Sequence, residues 1–143
     1  MSAAISITEV DWETHREPLL AVRTSVFVEE QNVPASIEVD EYDPVSIHVL
    51  ARDHQNQPIG TARLLPKGKI GRVAVLKPWR KSGVGSALMT HLIALARERG
   101  DRELSLHAQS WTTPFYETFG FTAEGDEFEE AGIPHRYMRL ILD

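Results

Sequence analysis

The chain predicts one α/β domain whose central sheet is mixed, mostly antiparallel and flanked by helices, and three observations predict it. Residues 70–108 read as strand, helix, strand: the β-branched run Ile70–Leu76, the amphipathic spacing Val84, Leu88, Leu92, Leu95, and the alternating Leu104, Leu106, Ala108. A unit of that order normally crosses over right-handed into parallel pairing. On both sides of it lie strand-like runs joined closely enough to pair as antiparallel hairpins. Finally, 143 residues with 42% hydrophobic side chains suffice for one core and not for two, so residues 1–143 are expected to be a single domain.

Taken in order, residues 4–10 alternate like a first strand, and Asp11 can cap a helix that starts near Trp12 and carries Leu19, Leu20, Val22 and Val26 on one face. From Phe27 to Pro44 periodicity gives way to Glu29, Glu30, Glu38, Asp40, Glu41 and Asp43, which reads as a long acidic loop. Ile47–Arg52 and Ile59–Leu65, joined by the polar turn 53–58, form a hairpin, and the strand 70–76 follows the turn Pro66–Lys69. The helix that begins at Val84 stops at Gly100, with Arg97 and Arg99 in its last turn. After the strand at 104–108 comes a short helix over about Trp111–Phe119, with Pro114 in its first turn and Gly120 as its stop. Phe121–Ala123 and His135–Ile141 close the fold as a hairpin around an acidic loop, Glu124–Gly132.

Composition limits the chemistry. A net charge of −6 argues against general nucleic-acid binding, which needs a basic surface. No apolar run is long enough to span a bilayer, and no charged-then-apolar leader opens the chain, so a cytoplasmic location away from membranes is expected. Without cysteine there are no disulfides, thiolate metal sites or thiol nucleophiles, and the histidines show no metal spacing such as His-x-x-x-His. Charge is segregated instead: residues 54–97 hold none of the 21 acids but eight of the 15 bases. One basic face for an anion and one acidic face for a cation are expected.

The turn Arg80-Lys81-Ser82-Gly83-Val84-Gly85-Ser86 sits between strand and helix. The first amides of a helix lack internal partners and lie at its positive end, so a strand-to-helix turn with two glycines is a ready anion site. Spacing rejects two familiar versions. A dinucleotide fingerprint needs a third glycine where Leu88 stands, and a P-loop needs a Gly-Lys-Ser/Thr that is missing.

The strand Arg72-Val73-Ala74-Val75, the Arg80-x-x-Gly83-x-Gly85 turn and Phe115-Tyr116-Glu-Thr-Phe-Gly120-Phe121 resemble the signature segments of the GNAT superfamily of acyl-CoA-dependent N-acyltransferases over essentially the whole chain. The N-terminal Arg23-x-x-Val26-Phe27-Val-x-Glu30-Gln31, with Glu38-Val-Asp40-x-x-Asp43, His48 and Gly132-Ile133-Pro134-His135, is similar to the ElaA-like subgroup. The resemblance implies a GNAT fold with two splayed parallel strands forming an acyl-CoA cleft, and acetyl-CoA as co-substrate without a metal. The amides of Arg80, Lys81, Ser82, Gly83, Val84, Gly85 and Ser86 would hold its pyrophosphate. The backbone of Val73, Ala74 and Val75 would pair with the pantetheine arm, aided by Gln109 where many relatives carry Asn. Tyr116 takes the general-acid position.

The implied reaction is attack by an amine of a small molecule or peptide on the thioester. It needs an unprotonated amine and a proton for the leaving thiolate, which a tyrosine in reach of the sulfur can give. Arg23, Glu30, Asp43, His48, His107 and His135 are expected around the acceptor, and the base is open among the last five. Glu30 and Asp43 read best as a cation-attracting wall. The rival expectation is an acyl-CoA-binding sensor that turns nothing over, and a homodimer sharing a sheet edge fits the resemblance.

Overall fold

The computed structural model describes residues 5–142; the expected start of the first strand at residue 4 lies outside them. Seven strands, β1 (Ser6–Val10), β2 (Ile47–Arg52), β3 (Pro58–Leu64), β4 (Lys69–Val75), β5 (Glu103–Gln109), β6 (Thr122–Glu130) and β7 (Ile133–Ile141), form one sheet in the order β1-β2-β3-β4-β5-β7-β6. β4 and β5 run parallel, and each of the other neighbouring pairs is antiparallel.

The helices are α1 (Trp12–Arg23), α2 (Ala35–Glu38), α3 (Val84–Arg99) and α4 (Thr113–Glu117). Asp11 caps α1 through a 3.1 Å bond from the Thr14 amide. α3 buries Val84, Leu88, Met89, Leu92, Ile93 and Ala96 in one core with the sheet. Leu104, Leu106 and Ala108 present β5's buried face to that core, which leaves Ser105, His107 and Gln109 on the opposite face.

Two expected loops are ordered otherwise. The first does not begin at Phe27: the chain winds on past α1 as a π-helix over Thr24–Glu30, where Gln31 N–H reaches the Val26 carbonyl five residues back at 3.1 Å. Such turns are rare and concentrate at functional sites. Only then does the chain leave the helix axis, through α2 and a short 3₁₀ turn at Asp43–Val45. The second expected loop, Glu124–Gly132, is mostly strand. β6 runs to Glu130 and returns through the two-residue turn Ala131-Gly132, with φ of 53° and 75°, the positive pair that tight hairpins require.

Two irregularities open the sheet. β4 pairs with β5 only at Lys69–Ser105 and Ile70–Leu106. Beyond them the strands part. On its other side β4 bulges against β3: Thr61 faces Ala74 and Arg63 faces Gly71, so Arg72 and Val73 together oppose Ala62, with Arg72 at φ 51°. The β5-facing edge of Gly71–Val75 is therefore left without a strand partner.

Candidate active site

A cleft of about 660 Å³ occupies this gap. Its walls come from Val73, Ala74 and Val75 of β4, His107 and Gln109 of β5, Tyr116 of α4, Glu130 and His135 of the closing hairpin, and Phe27 and Gln31 at the end of the π-helix. An unpaired strand edge presents alternating N–H and C=O groups, so an extended amide-bearing arm can add to it as a strand.

The turn expected to take an anion leads into the start of α3. Gly83 sits at its N-cap with φ 92°, no side chain caps the helix, and its first turn carries no acid. The first amides are thus offered to a ligand by local geometry. Gly85 is needed for a different reason: a Cβ there would stand 3.3 Å from Phe115 Cζ, so its absence lets α3 close on α4. The Val84 side chain lies in the core and leaves only backbone to offer, whereas Lys81 and Ser86 are exposed. Ser82 donates its hydroxyl to the Trp79 carbonyl.

Arg80 departs from the expectation, because its amide closes a turn onto the Lys77 carbonyl at 3.2 Å instead of remaining open. Its guanidinium donates to the Val75 carbonyl at 2.9 Å and grips Glu30 with two bonds of 2.5 and 2.7 Å. Arg80 holds the Glu30 carboxyl below the usual range. Glu30 is thereby tied to Arg80 ahead of α3 and does not line the cleft where an acceptor wall was expected.

Tyr116 lines the cleft at 8% exposure, with Phe115 and Phe121 edge-on at 5.0 and 6.2 Å. Burial pushes its proton affinity up, and no charge or hydrogen bond among the described residues offsets this. The phenol stays protonated, as a donor must. Gln109 exchanges two amide bonds with Gln31, 3.0 and 2.8 Å, clasping β5 to the end of the π-helix.

Three other expected acceptor residues lie outside the cleft, in a buried charge network. Arg23, 1% exposed, donates to Glu38 at 2.6 and 2.7 Å and to Asp43 at 2.8 and 3.1 Å. Arg63 reaches Asp40 at 2.6 Å and Asp43 at 2.9 Å, and Arg72 reaches Asp40 at 3.1 Å. Three carboxylates of the expected acidic face, Glu38, Asp40 and Asp43, thus fold inward onto three arginines, because a buried carboxylate needs paired charge, while Glu29 and Glu41 stay exposed. His48 donates from Nε2 to the Asp43 carbonyl at 2.8 Å and stacks on Trp12. Burial pushes its proton affinity down, so it stays neutral, and it does not line the cleft.

His107 and His135 do meet in the cleft, joined by a residue that sequence reasoning missed. Glu130 Oε1 accepts from His107 Nδ1 at 2.9 Å, and Oε2 lies 3.9 Å from His135 Nε2. The sequence pattern places Glu130 in the expected loop 124–132, whereas it ends β6. The signal that could have found it was the hairpin turn Ala131-Gly132, which sets the register that turns Glu130 and His135 to the same end of the sheet. Among the described residues no cluster of His, Asp and Glu is arranged to hold a metal ion.

Comparison with known proteins agrees with this geometry. A family model described as "Acetyltransferase (GNAT) domain" matches residues 15–142. The chain is 41% identical over 121 residues to the "Uncharacterized N-acetyltransferase YjcF" of Bacillus subtilis, covering 82% of this chain and 86% of that one. It is 34% identical over 125 residues to "Protein ElaA" of Escherichia coli, covering 82% and 81%. Among solved structures, a putative N-acetyltransferase from Lactobacillus plantarum superposes with a TM-score of 0.88 at 29% identity, over 97% of this chain and 99% of that one.

Proposed function

The chain belongs to the GNAT acetyltransferase family and has its fold, and on that premise we propose that it transfers an acetyl group from acetyl-CoA to a primary amine of a small molecule or peptide. The observation that carries this reading is the cleft with its unpaired β4 edge and buried protonated tyrosine, whose lining reaches Arg80 just ahead of the uncapped N-terminus of α3, a run that suits one elongated thioester. The residues present fit such a ligand. The amides of Gly83 to Ser86, with Lys81 beside them, meet the diphosphate. Val73 to Val75 meet the pantetheine amides, and Gln109 can exchange its Gln31 partner for one of them. Acetyl-CoA brings an activated acyl group; the protein positions it, excludes water and supplies a proton at the Tyr116 oxygen.

The test is amine-dependent release of thiol from acetyl-CoA, with Tyr116→Phe beside the wild type. The substitution removes one hydroxyl and no packing, so acetyl-CoA should bind within about twofold while kcat falls about 10²-fold or more. An unchanged kcat would remove Tyr116 from the mechanism. Binding without turnover of any amine would favour a sensor.

A further inference from the structure

Two hydrogen-bond acceptors face each other in the cleft with no donor between them among the described residues. His135 Nδ1 lies 2.7 Å from the Ile133 carbonyl oxygen, which can only accept, so Nδ1 carries the proton and Nε2 of the neutral ring is a bare lone pair. That lone pair is 3.9 Å from Glu130 Oε2. The other carboxylate oxygen takes the His107 Nδ1–H at 2.9 Å, which fixes the rotation of the group. Phe128 keeps the imidazoles apart, edge-on to His107 and stacked on His135 at 6.0 Å.

The charge of the site is set locally. Burial pushes the Glu130 carboxyl up, but the bond from His107 Nδ1 outweighs it and, with Lys69 nearby, holds the carboxyl below the usual range. It is therefore ionised. Among the described residues His107, His135 and Lys69 are the charged or titratable groups that act on it, and all line the same cleft as Tyr116. A donor about 2.9 Å from both Glu130 Oε2 and His135 Nε2 would satisfy each of them. A primary ammonium offers that donor and a compensating positive charge.

We infer that Glu130 and His135 form the acceptor's ammonium site, with Glu130 holding the charged amine, His135 Nε2 taking the proton that frees its lone pair, and His107 acting as a positioning residue for Glu130. The inference rests on the acetyl-transfer reading. His135 Nε2 takes one proton from the ammonium, and its cation is then held between the Ile133 carbonyl and the Glu130 carboxylate. The freed nitrogen pair forms the C–N bond to the acetyl carbon as the C–S bond breaks and its electrons stay on sulfur. Tyr116 gives sulfur a proton and recovers one from the second N–H of the new amide. One ammonium and one thioester become one amide, one thiol and one proton, released from His135.

The probe is benzylamine, with two readouts on wild type and Glu130→Gln. The Glu130 side chain is 49% exposed, so the variant should fold, and thermal melting checks it. In the CoA complex, benzylamine should shift the imidazole resonances of His107 and His135 in wild type and not in the variant. With acetyl-CoA, the variant's amine KM should rise about tenfold or more while the acetyl-CoA KM stays within twofold. His135→Gln should lower kcat and abolish its fall at acid pH, which a purely structural role would leave in place. Absent resonance shifts in wild type, equal shifts in both proteins, or an unchanged amine KM would overturn the inference. So would an equal rise in KM for Glu124→Gln, on the same strand but paired with Arg139. Resonance shifts in wild type without thiol release would refute acetyl transfer and leave the ammonium site standing.

Discussion

Replacing Asp43 by Asn should cost the fold about 3–5 kcal/mol, the usual loss when one partner of a buried ion pair is removed. The carboxylate is 0% exposed and accepts four bonds: two from Arg23 at 2.8 and 3.1 Å, one from Arg63 at 2.9 Å and one from the Asp40 amide at 3.1 Å. Burial alone would raise its pKa, but the Arg23 guanidinium, with Asp40 N–H and Arg63 behind it, lowers it from 3.8 to about 2. That drop alone corresponds to about 2 kcal/mol of charge pairing. An amide keeps the shape, withdraws the charge from two buried guanidiniums and turns donors toward donors.

The assay is urea unfolding followed by tryptophan fluorescence, since Trp12 lies 5.5 Å from the Arg23 guanidinium and reports locally. For a domain of this size the melting temperature should fall by about 6–20 °C. The pH dependence has a definite sign. The folded pKa lies below the unfolded one, so the stabilisation is complete above about pH 4 and is lost as pH falls toward 2. The gap between wild type and variant should therefore narrow across that window. A loss below about 1 kcal/mol, or a gap as wide at pH 2 as at pH 7, would refute the assignment of charge pairing as what anchors the segment after the π-helix.

Two further substitutions probe the proposed anion end. Ser86→Asp places a carboxylate in the first turn of α3, where it should stabilise the helix by about 0.3–1 kcal/mol and weaken acetyl-CoA binding about tenfold, about 1.4 kcal/mol. Calorimetric titration beside a thermal melt separates the two effects, and undiminished affinity would mean the diphosphate sits elsewhere. Glu30→Gln breaks an exposed ion pair, so stability should change by less than about 1 kcal/mol. It releases the Arg80 guanidinium, and acetyl-CoA affinity should rise a few-fold. Weaker binding would show that Glu30 positions Arg80 instead of competing for it.

What the sequence made legible was what local pattern encodes. Asp11 caps α1, Gly83 and Gly100 bracket α3, and 70–108 is one βαβ unit, because a cap, a 3.6-residue period and an alternation each span few residues. The π-helix had no such signature, since one extra residue per turn leaves no regular apolar spacing over seven positions. Of β6 only the start, at Phe121–Ala123, is legible, because a strand exposed along most of its length has no buried face to alternate with. Glu130 lies in the rest, its partner His107 being 23 positions away and visible only once the register was known. Arg23 and Asp43 were seen as charges. Their pairing, and hence their removal from the acceptor's surroundings, is a matter of tertiary burial.

The outer margin of the sheet has its own consequence. β6 carries Glu124, Asp126, Glu127, Glu129 and Glu130 within nine residues. A second molecule zippering onto this border in antiparallel fashion would interleave like charges and desolvate them together. Electrostatic repulsion disfavours lateral growth there, which leaves β1, at the opposite border, as the less charged edge for a second copy to extend.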